Sequence, residues 1–262
     1  MSSQTNTKRT GVSSVNRALD IMELLCREER LMGINEIAHA LGDYPSTIHR
    51  SISTLNERGY VYQDADSLKY GLSYKLCMLG KSVSENSSLV QMSKPHAVEI
   101  ANEFKETVNV SVREHLDRTN YSAITIFQAC GGKRRLSVSE TLGSPYDCYY
   151  SGGGKALLAF SDDYDENVMR TIHLVKHTET SIVDPEDFIQ EIRKIRECGY
   201  AVDNEENENG LFCVGCPVLD SRGIAVMAIS VSGYKGQLHE IGIERIVERL
   251  KKACNEISRL LI

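Results

Sequence analysis

Short polar side chains and one arginine surround Pro45 at the spacing of an exposed helical face. The members of this polar set are Tyr44, Ser46, Thr47, His49, Arg50 and Ser53. Ile48, Ile52 and Leu55 recur among them at the spacing that marks the buried face of a helix. Hydroxyls near a helix N-terminus bond phosphates or base edges, and a guanidinium reaches a guanine edge or a phosphate. This pattern predicts a helix that contacts double-stranded DNA.

A second segment whose residues could bind a ligand is Ser151-Gly152-Gly153-Gly154-Lys155. Glycines allow close approach of the backbone, and free N–H groups at the start of a following helix favour an anion such as a carboxylate. The glycine spacing and the missing Lys-Ser/Thr pair differ from a nucleotide-binding P-loop, which argues against ATP. The same glycines also suit a tight strand-to-helix turn without a ligand. Both interpretations stay open at this level.

Cysteines and histidines offer two further patterns. Cys213 and Cys216 form a C-x-x-C pair in a strand-like run, away from any helix N-terminus that lowers a thiol pKa, which favours buried structural thiols. His173 and His177 have no carboxylate or cysteine at a matching position, so we expect solvated histidines, no metal and no cofactor. The alternative is a cysteine-dependent enzyme or redox sensor that uses Cys148, Cys213 or Cys216, which requires a thiolate beside a base.

The elements around the polar set predict a winged helix-turn-helix. A first helix begins at Ser14, the expected N-cap, and a short second helix follows Gly33. Gly42-Asp43-Tyr44 predicts a tight turn, and Pro45 then occupies a first helical position. Two short strands around Asp64-Ala65-Asp66-Ser67 form the wing. A module of this geometry that contacts protein instead of DNA is the alternative, which the acidic wing tip keeps open.

Basic residues near the N-terminus extend the expected DNA surface. Lys8, Arg9 and Arg17 can each neutralise a phosphate and add salt-dependent affinity. The formal net charge is −6, but residues 1–80 carry equal numbers of basic and acidic side chains, so the excess acidity belongs to the remainder. Any DNA-binding surface is therefore local.

The rest of the chain mixes helix and strand patterns. Leu72 to Leu79 has helical spacing, Ser82 to Ser88 is rich in Ser and Asn, and a helix is predicted from Met92. Next come strands in which polar and apolar residues alternate. A helix between Asp184 and Gly199 and an apolar closing helix complete the chain. We predict an α/β (α+β) protein with a winged helix-turn-helix at 1–72, a linker helix and flexible connector at 73–91, and a sensor domain at 92–262.

Composition excludes several classes of protein. With 262 residues, 41% hydrophobic and 25% charged, the chain is expected to be globular, with a small and a larger domain. No apolar run suffices to cross a membrane, and the polar start of the chain lacks the apolar region of a secretory signal. We therefore expect a cytoplasmic protein whose eight cysteines are free thiols.

Motifs along nearly the whole chain resemble one family. The N-terminal matches are Gly33-Ile34-Asn35-Glu36-Ile37-Ala38, Pro45-Ser46-Thr47-Ile48-His49-Arg50 and Glu57-Arg58-Gly59-Tyr60-Val61. The later matches are residues 151–159, 199–203 with Glu206 and Gly210, 213–217 and 229–233. These segments are similar to those of the IclR family of bacterial transcriptional regulators. The resemblance implies a GAF-like effector domain, a homodimer or tetramer, and DNA binding that changes with a small organic or aromatic acid.

By this resemblance, six residues contact the effector. They are Gly152, Gly153, Asp203, Cys213, Ser230 and Ser232. Ser230 and Ser232 are two positions apart on a predicted strand, so both hydroxyls face one side and can bond one ligand. Alternatively, the serines bond neighbouring backbone and Asp203 caps a turn.

Apolar or aromatic lining of the same pocket is expected from a second set. Its members are Leu136, Val138, Tyr149 and Tyr150, which core packing explains equally well. Tyr149 and Cys216 stand where family members commonly carry small apolar residues, so the pocket shape here departs from the pattern.

These expectations combine into a mechanism. A dimer places two recognition helices in successive major grooves of a near-palindromic operator, and the effector changes the arrangement of the linker helices. We predict a repressor without enzymatic activity. A protein-interaction module without an effector is a further alternative, which predicts no ligand-dependent thermal shift.

Overall fold

The computed structural model describes residues 11–114, 121–132 and 142–261. The chain divides into two compact units, the first ending at Val83 and the second beginning at Ser84. Among these residues, hydrophobic side chains form one core in the first unit and two in the second. In the part of the chain that is described, no helix has the length and apolar character needed to cross a bilayer.

The N-terminal unit opens, within the described residues, with three helices and a two-stranded antiparallel hairpin. These elements are α1 (Ser13–Glu28), α2 (Ile34–Leu41), α3 (Pro45–Glu57), β1 (Val61–Gln63) and β2 (Tyr70–Leu72). Ile21, Ile37, Ile48 and Ile52 are fully buried and hold the helices around one core. Burial of each such side chain contributes about 1.5–3 kcal/mol. The predicted helix-turn-helix with its wing is confirmed.

The tight turns of this unit have identifiable causes. Gly42 has a φ of 64°, a left-handed value that glycine adopts without strain, and the Asp43 N–H donates to the Ala38 carbonyl to close α2. At the hairpin tip, the Asp64 carboxylate accepts hydrogen bonds from the N–H and the hydroxyl of Ser67. The first bond closes the end of α2 ahead of α3, and the other two close the hairpin tip.

Two helices follow the hairpin. They are α4 (Lys75–Asn86) and α5 (Ser88–Phe104). Ser87 separates them, and its hydroxyl caps α5 by accepting a hydrogen bond from the Val90 N–H at 3.3 Å. The stretch predicted to be flexible is thus helical, because its Ser and Asn residues continue α4 or cap α5. The predicted limits 1–72, 73–91 and 92–262 remain predictions.

The described part of the C-terminal unit is built on an antiparallel sheet of six strands. Its strands are β3 (Thr107–Arg113), β4 (Ser122–Cys130), β5 (Pro145–Asp147), β6 (Ala201–Asn204), β7 (Leu211–Leu219) and β8 (Ala225–Tyr234), in the order β5-β4-β3-β8-β7-β6. Its remaining helices are α6 (Gly152–Ala159), α7 (Glu166–Met169), α8 (Pro185–Cys198), α9 (Lys235–Ile241) and α10 (Ile243–Ser258).

The two faces of the sheet carry different helices. On one face, α5 and α10 enclose an apolar core that includes Val110, Val214 and Ile229. On the other, α6 lies against β7 and β8, and α8 packs on α6 through residues such as Phe188. The mixed α/β architecture predicted from the sequence is confirmed.

Helix ends test the capping predictions. Asp184 caps α8 by accepting hydrogen bonds from two backbone N–H groups, and Gly199 ends it with a φ of 76°, as predicted. Ser14 is not the N-cap of α1, because that helix begins at Ser13 after Val12 and no side chain caps it. A hydroxyl near a helix start is therefore a weaker signal than an Asp-Pro pair followed by acidic residues.

Candidate functional site

The third helix presents a polar, largely exposed face. Its exposed residues include Tyr44, Ser46, His49 and Arg50, while Thr47 and Ser53 are half-buried. Ser46, His49, Arg50 and Ser53 lie three or four positions apart, so they share one side of the helix. Ile48, Ile52 and Leu55 are buried on the other side. The structure therefore brings the predicted DNA-contact residues of α3 together on one surface.

Arg17 pairs within the chain. Its Nε lies 2.5 Å from Asp43 Oδ2, in the turn between α2 and α3, and this bond holds the pKa of Asp43 below its usual range. The ion pair braces the turn that precedes α3. A phosphate contact by Arg17 stays a prediction, and Lys8 and Arg9 lie outside the described residues.

Acidic residues of the N-terminal unit are engaged in local structure. The two hydrogen bonds from Ser67 lower the pKa of Asp64 at the wing tip. Glu36 accepts a hydrogen bond from the Gly33 N–H at 2.7 Å, which with Arg30 and Lys69 lowers its pKa to about 2. These carboxylates stabilise a turn and a helix start, so their presence does not itself indicate a protein-binding surface.

The glycine segment begins α6. Ser151 caps it, because its hydroxyl accepts a hydrogen bond from the Gly154 N–H at 2.9 Å and its carbonyl accepts one from the Lys155 N–H at 2.9 Å. The N–H groups of Gly152 and Gly153 donate to none of the described residues. Two free N–H groups at the positive end of a helix dipole favour an anion.

Close packing requires glycine where α6 meets the sheet. A Cβ on Gly215 would lie 2.4 Å from the Gly152 carbonyl oxygen, and a Cβ on Gly152 would lie 3.0 Å from the Cys213 carbonyl oxygen. A Cβ on Gly153 would make only ordinary contacts, at 3.5 Å from Ser230 Oγ and 3.7 Å from the Tyr146 hydroxyl. Packing therefore explains Gly152, whereas two hydroxyls converge beside Gly153.

Strand register places the other predicted effector residues beneath α6. Asp203, Cys213 and Ser232 are neighbours across β6, β7 and β8, and Ser230 lies opposite Gly215. All of these side chains are buried, Asp203 being 1% exposed and Ser232 6% exposed. The residues that the sequence placed in one site thus share one face of the sheet, next to the start of α6.

A buried ion pair lies beside this face, and sequence analysis did not find it. Lys155 Nζ is 2.5 Å from Glu206 Oε1, and the two side chains are 0% and 9% exposed. Glu206 Oε2 is buried and accepts no hydrogen bond from the described residues. Asp203 Oδ1 accepts a hydrogen bond from the Glu206 N–H at 2.7 Å. The partners are distant in sequence, so no local spacing signals the pair.

Burial controls the protonation of both carboxyl groups. It raises the pKa of Asp203 to about 7, and the Glu206 N–H and the Lys155 charge oppose this only in part. Burial also raises the pKa of Glu206, against the opposing effect of Lys155. A carboxyl with a pKa near 7 is protonated in about half of the molecules at neutral pH. The Asp203 carboxylate caps a turn by accepting hydrogen bonds from the backbone N–H groups of Glu206 and Asn207.

The predicted aromatic lining is partly described. Tyr149 is buried, its hydroxyl donates to Asp147 Oδ2 at 2.9 Å, and its ring meets Tyr150 edge-on at 5.4 Å. These contacts favour core packing for Tyr149. Leu136 and Val138 lie outside the described residues, so their role stays a prediction.

Thiol geometry opposes the cysteine-dependent alternative. Cys213 lies on the α6 side of β7, whereas Cys216, an odd number of positions away, lies in the core on the opposite face. Burial raises the pKa of Cys216 and that of Cys148 to about 12. Such thiols remain protonated at neutral pH and are poor nucleophiles.

The two histidines do not share a helical face. Both follow the end of α7 at Met169, in irregular structure, so their spacing does not align them as it would on a helix. His177 instead packs against the Tyr150 ring at 4.7 Å. Within the described ranges, no group of three or more His, Cys, Asp or Glu is arranged to hold a metal ion.

Sequence analysis identified only Ser230 and Ser232 of a larger set of buried polar residues on the sheet. We call them the polar band: Thr107, Asn109, Ser111, Thr125, Ser230 and Ser232, all at most 9% exposed. Alternation of polar and apolar residues in β3 is typical of a half-buried strand, but its polar side is covered as well. Thr107 lies opposite Ser232, Asn109 opposite Ser230, and Ser111 opposite Thr125, so the band crosses β8, β3 and β4 on the α6 side.

Fold and site together define a DNA-binding transcriptional regulator with an effector domain. The bacterial transcriptional regulator IclR C-terminal family matches residues 81–259, and the IclR helix-turn-helix domain matches residues 14–65. The chain therefore belongs to the IclR family, as its motifs predicted. It is a helix-turn-helix transcriptional regulator and not an enzyme.

Similar proteins agree with this assignment. The HTH-type transcriptional regulator KdgR of Escherichia coli (strain K12) is 30% identical over 248 residues, which span 94% of this chain and 92% of that protein. The transcriptional repressor IclR of the same organism is 28% identical over 251 residues, spanning 94% and 89%.

Solved structures share the fold. The IclR protein of Thermotoga maritima is 29% identical, with a TM-score of 0.76 over 95% of this chain and 98% of its own. An IclR homologue from Microbacterium hydrocarbonoxydans, complexed with 4-hydroxybenzoate, has a TM-score of 0.79 and 19% identity, with coverage of 95% and 99%. At that identity the likeness concerns the fold alone.

Proposed function

We propose that this regulator is a cytoplasmic repressor that binds a double-stranded operator through α3 and responds to a small organic acid held at the start of α6. The observation that carries the proposal is the pair of free N–H groups on Gly152 and Gly153, beside the buried hydroxyl of Ser230. Relatives named as repressors, including IclR of Escherichia coli, support the direction of control. The 4-hydroxybenzoate in the Microbacterium hydrocarbonoxydans homologue supports an acid as the effector class.

The DNA contact follows from the exposed face of α3. Ser46 lies in the first turn, where its hydroxyl and the backbone N–H groups can bond phosphate, while Arg50 lies on the same face one turn later. In a helix-turn-helix, such a second helix enters the major groove. Arg50 is therefore the side chain with the reach and charge to read a guanine edge.

Replacing Arg50 by alanine is expected to weaken operator binding by about 1–3 kcal/mol for each recognition helix. Loss of the guanidinium removes a charge-assisted contact, while α3 keeps its buried face and its fold. The measurement is a gel-shift titration at several salt concentrations, on an operator fragment selected by the unaltered protein. Arg27→Ala, an exposed arginine at the end of α1, is the matched control. Unchanged affinity of Arg50→Ala at every salt concentration contradicts the assignment of α3.

Exposed apolar side chains support a homodimer. α4 contributes no buried residue, and Met78, Leu79 and Val83 on it are 60%, 41% and 73% exposed. Val15 and Leu19 of α1 are 54% and 45% exposed. Apolar helix faces left in water favour association with a second copy, which a two-fold operator also requires. We propose that α1 and α4 provide this dimer contact, and the choice between dimer and tetramer stays open.

Charged substitutions on α4 test the contact. The double variant Met78→Glu with Val83→Glu is expected to shift the protein towards monomer and to raise its dissociation constant at least 100-fold, because each carboxylate would be desolvated in the contact. Sedimentation across a dilution series gives the constant. Val175→Glu, an exposed valine of the C-terminal unit, is the control. A double variant that sediments as the parent places the contact elsewhere.

Coupling between the two sites requires unequal affinities. An effector changes operator binding only if it binds the DNA-competent and the DNA-free arrangements differently, and the operator then changes effector affinity by the same factor. The effector titration with and without operator therefore measures the coupling directly.

A further inference from the structure

The sheet has two buried faces of opposite character. On the α5 and α10 side, Val108, Val110, Val214, Ile229 and Val231 are 0% exposed and form the apolar core. On the α6 side, the same strands contribute the polar band, whose residues are equally enclosed. A core that serves packing alone is apolar, because buried polar groups cost free energy unless they are hydrogen-bonded. The polar band therefore indicates a ligand.

Hydrogen bonds among the described residues leave some donors and acceptors of the polar band unused. Ser111 and Thr125 bond each other at 3.2 Å, and Gln128 donates to Asn109 Oδ1 at 2.9 Å. The hydroxyls of Ser230 and Ser232 and the amide nitrogen of Asn109 have no hydrogen bond to the described residues, although these side chains are 4%, 6% and 2% exposed. They offer both donors and acceptors to one small molecule.

We infer that the effector is an aliphatic carboxylic acid with several hydroxyl groups, of the sugar-acid class, bound between the α6 N-terminus and the polar band. This inference rests on the proposed effector site and specifies its ligand. The N–H groups of Gly152 and Gly153 hold the carboxylate, and the hydroxyls of the ligand pair with Ser230, Ser232 and the Asn109 amide.

The dimensions of the band suit such a molecule. Ser230 lies next to the α6 N-terminus, and Thr125 lies two strands away, a distance of about 10 Å. An extended acid of about six carbons covers this length when a hydrogen bond at each end is included.

An aromatic acid fits this face poorly. A flat ring would cover Ser230, Ser232 and Asn109 without pairing them, and buried hydrogen-bonding groups without partners are costly. Of the predicted lining, Tyr149 and Tyr150 pack on each other and Tyr150 also on His177. A site built to hydrogen-bond its ligand discriminates strongly against an analogue that lacks the bonding group. An apolar pocket discriminates far less against an analogue that carries an added hydroxyl.

Calorimetric titration of the full chain with four acids and one neutral polyol tests the ligand class. The acids are D-gluconate, D-galactonate, hexanoate and benzoate. At least one of the two sugar acids is expected to bind at least 100-fold more tightly than hexanoate, which has the same number of carbons without hydroxyls, and than benzoate. The neutral polyol D-glucitol is expected to bind at least tenfold more weakly than that sugar acid, because it lacks the carboxylate.

Serine variants locate the binding. Ser230→Ala and Ser232→Ala are each expected to lower the affinity for the sugar acid about tenfold without a change in melting temperature beyond that of Ser93→Ala. Ser93 is an equally buried control on α5, whose hydroxyl bonds its own helix through the Leu89 carbonyl at 2.7 Å. Thr125→Val, which keeps the side-chain shape, provides a second test on β4.

The outcomes separate the two levels of the proposal. If hexanoate or benzoate binds as tightly as the sugar acids and loses affinity in Ser230→Ala, the effector site stands and the ligand class is wrong. If no probe binds, or if binding ignores Ser230, Ser232 and Thr125 alike, the site itself is wrong and the inference falls with it.

Discussion

Replacing Lys155 by methionine is expected to lower the free energy of unfolding by about 3–5 kcal/mol. The change leaves Glu206 buried beside Asp203 without its cationic partner, and an uncompensated buried charge costs far more than a lost surface pair. Methionine fills a similar volume, so a cavity does not contribute. Because Lys155 follows the glycines that begin α6, effector binding is expected to weaken in the same variant.

Urea unfolding of the full chain, followed by circular dichroism, measures this loss. Lys176→Met is the matched control, because it removes an exposed pair with Glu179 whose side chains are 51% and 93% exposed, and no measurable change is expected. The double variant Lys155→Met with Glu206→Leu should recover part of the stability, since no unpaired charge remains. Equal stability of Lys155→Met and Lys176→Met would show that the buried pair is not ionised.

Asp203→Asn is expected to gain stability over the parent as the pH rises. Asp203 has a pKa of about 7 in the folded chain, above the usual value near 4 that it regains on unfolding. A raised carboxyl pKa contributes stability at low pH, which is lost as the pH rises through the folded pKa. Asparagine does not ionise and still accepts the Glu206 N–H. The gap between variant and parent should widen by about 3–4 kcal/mol from pH 4 to pH 8.

The direction in which this stability gap changes with pH is the strongest test of the raised Asp203 pKa. Asp220 has a pKa lowered by the Ile224 N–H and by Arg222, so its contribution changes mainly below about pH 4, and Asp220→Asn should keep a nearly constant deficit relative to the parent from pH 4 to pH 8. Thermal unfolding of both variants at intervals between pH 4 and pH 8 compares the two slopes. A constant gap for Asp203→Asn means that this carboxyl is not held in a desolvated environment.

Local patterns predicted the DNA-binding unit well. Ile48, Ile52 and Leu55 mark the buried face of α3, and Gly42 and Pro45 mark its start, all through interactions within a few residues of the chain. The position of the polar set on the opposite side of α3 follows from helix geometry. The motifs likewise identified the family along nearly the whole chain.

The connector between the two units shows where local sequence patterns fail to predict the structure. Ser82 to Ser88 has the composition of a loop, yet the structure continues α4 through most of it and uses Ser87 as the cap of α5. Serine and asparagine are common in loops and in caps for the same reason, namely that their side chains bond nearby backbone. Composition alone does not separate the two.

By itself, the sequence determined the order of helices and turns, the exposed face of α3 and the glycines at the start of α6, because each depends on neighbours along the chain. Only the tertiary structure decided that the polar side of β3 is enclosed and that Lys155 pairs with Glu206. It also separated Cys213 from Cys216, by directing them to opposite faces of β7. Burial of both faces of a strand, and contacts between distant residues, arise from the packing of helices on the sheet, which alternation along one strand does not encode.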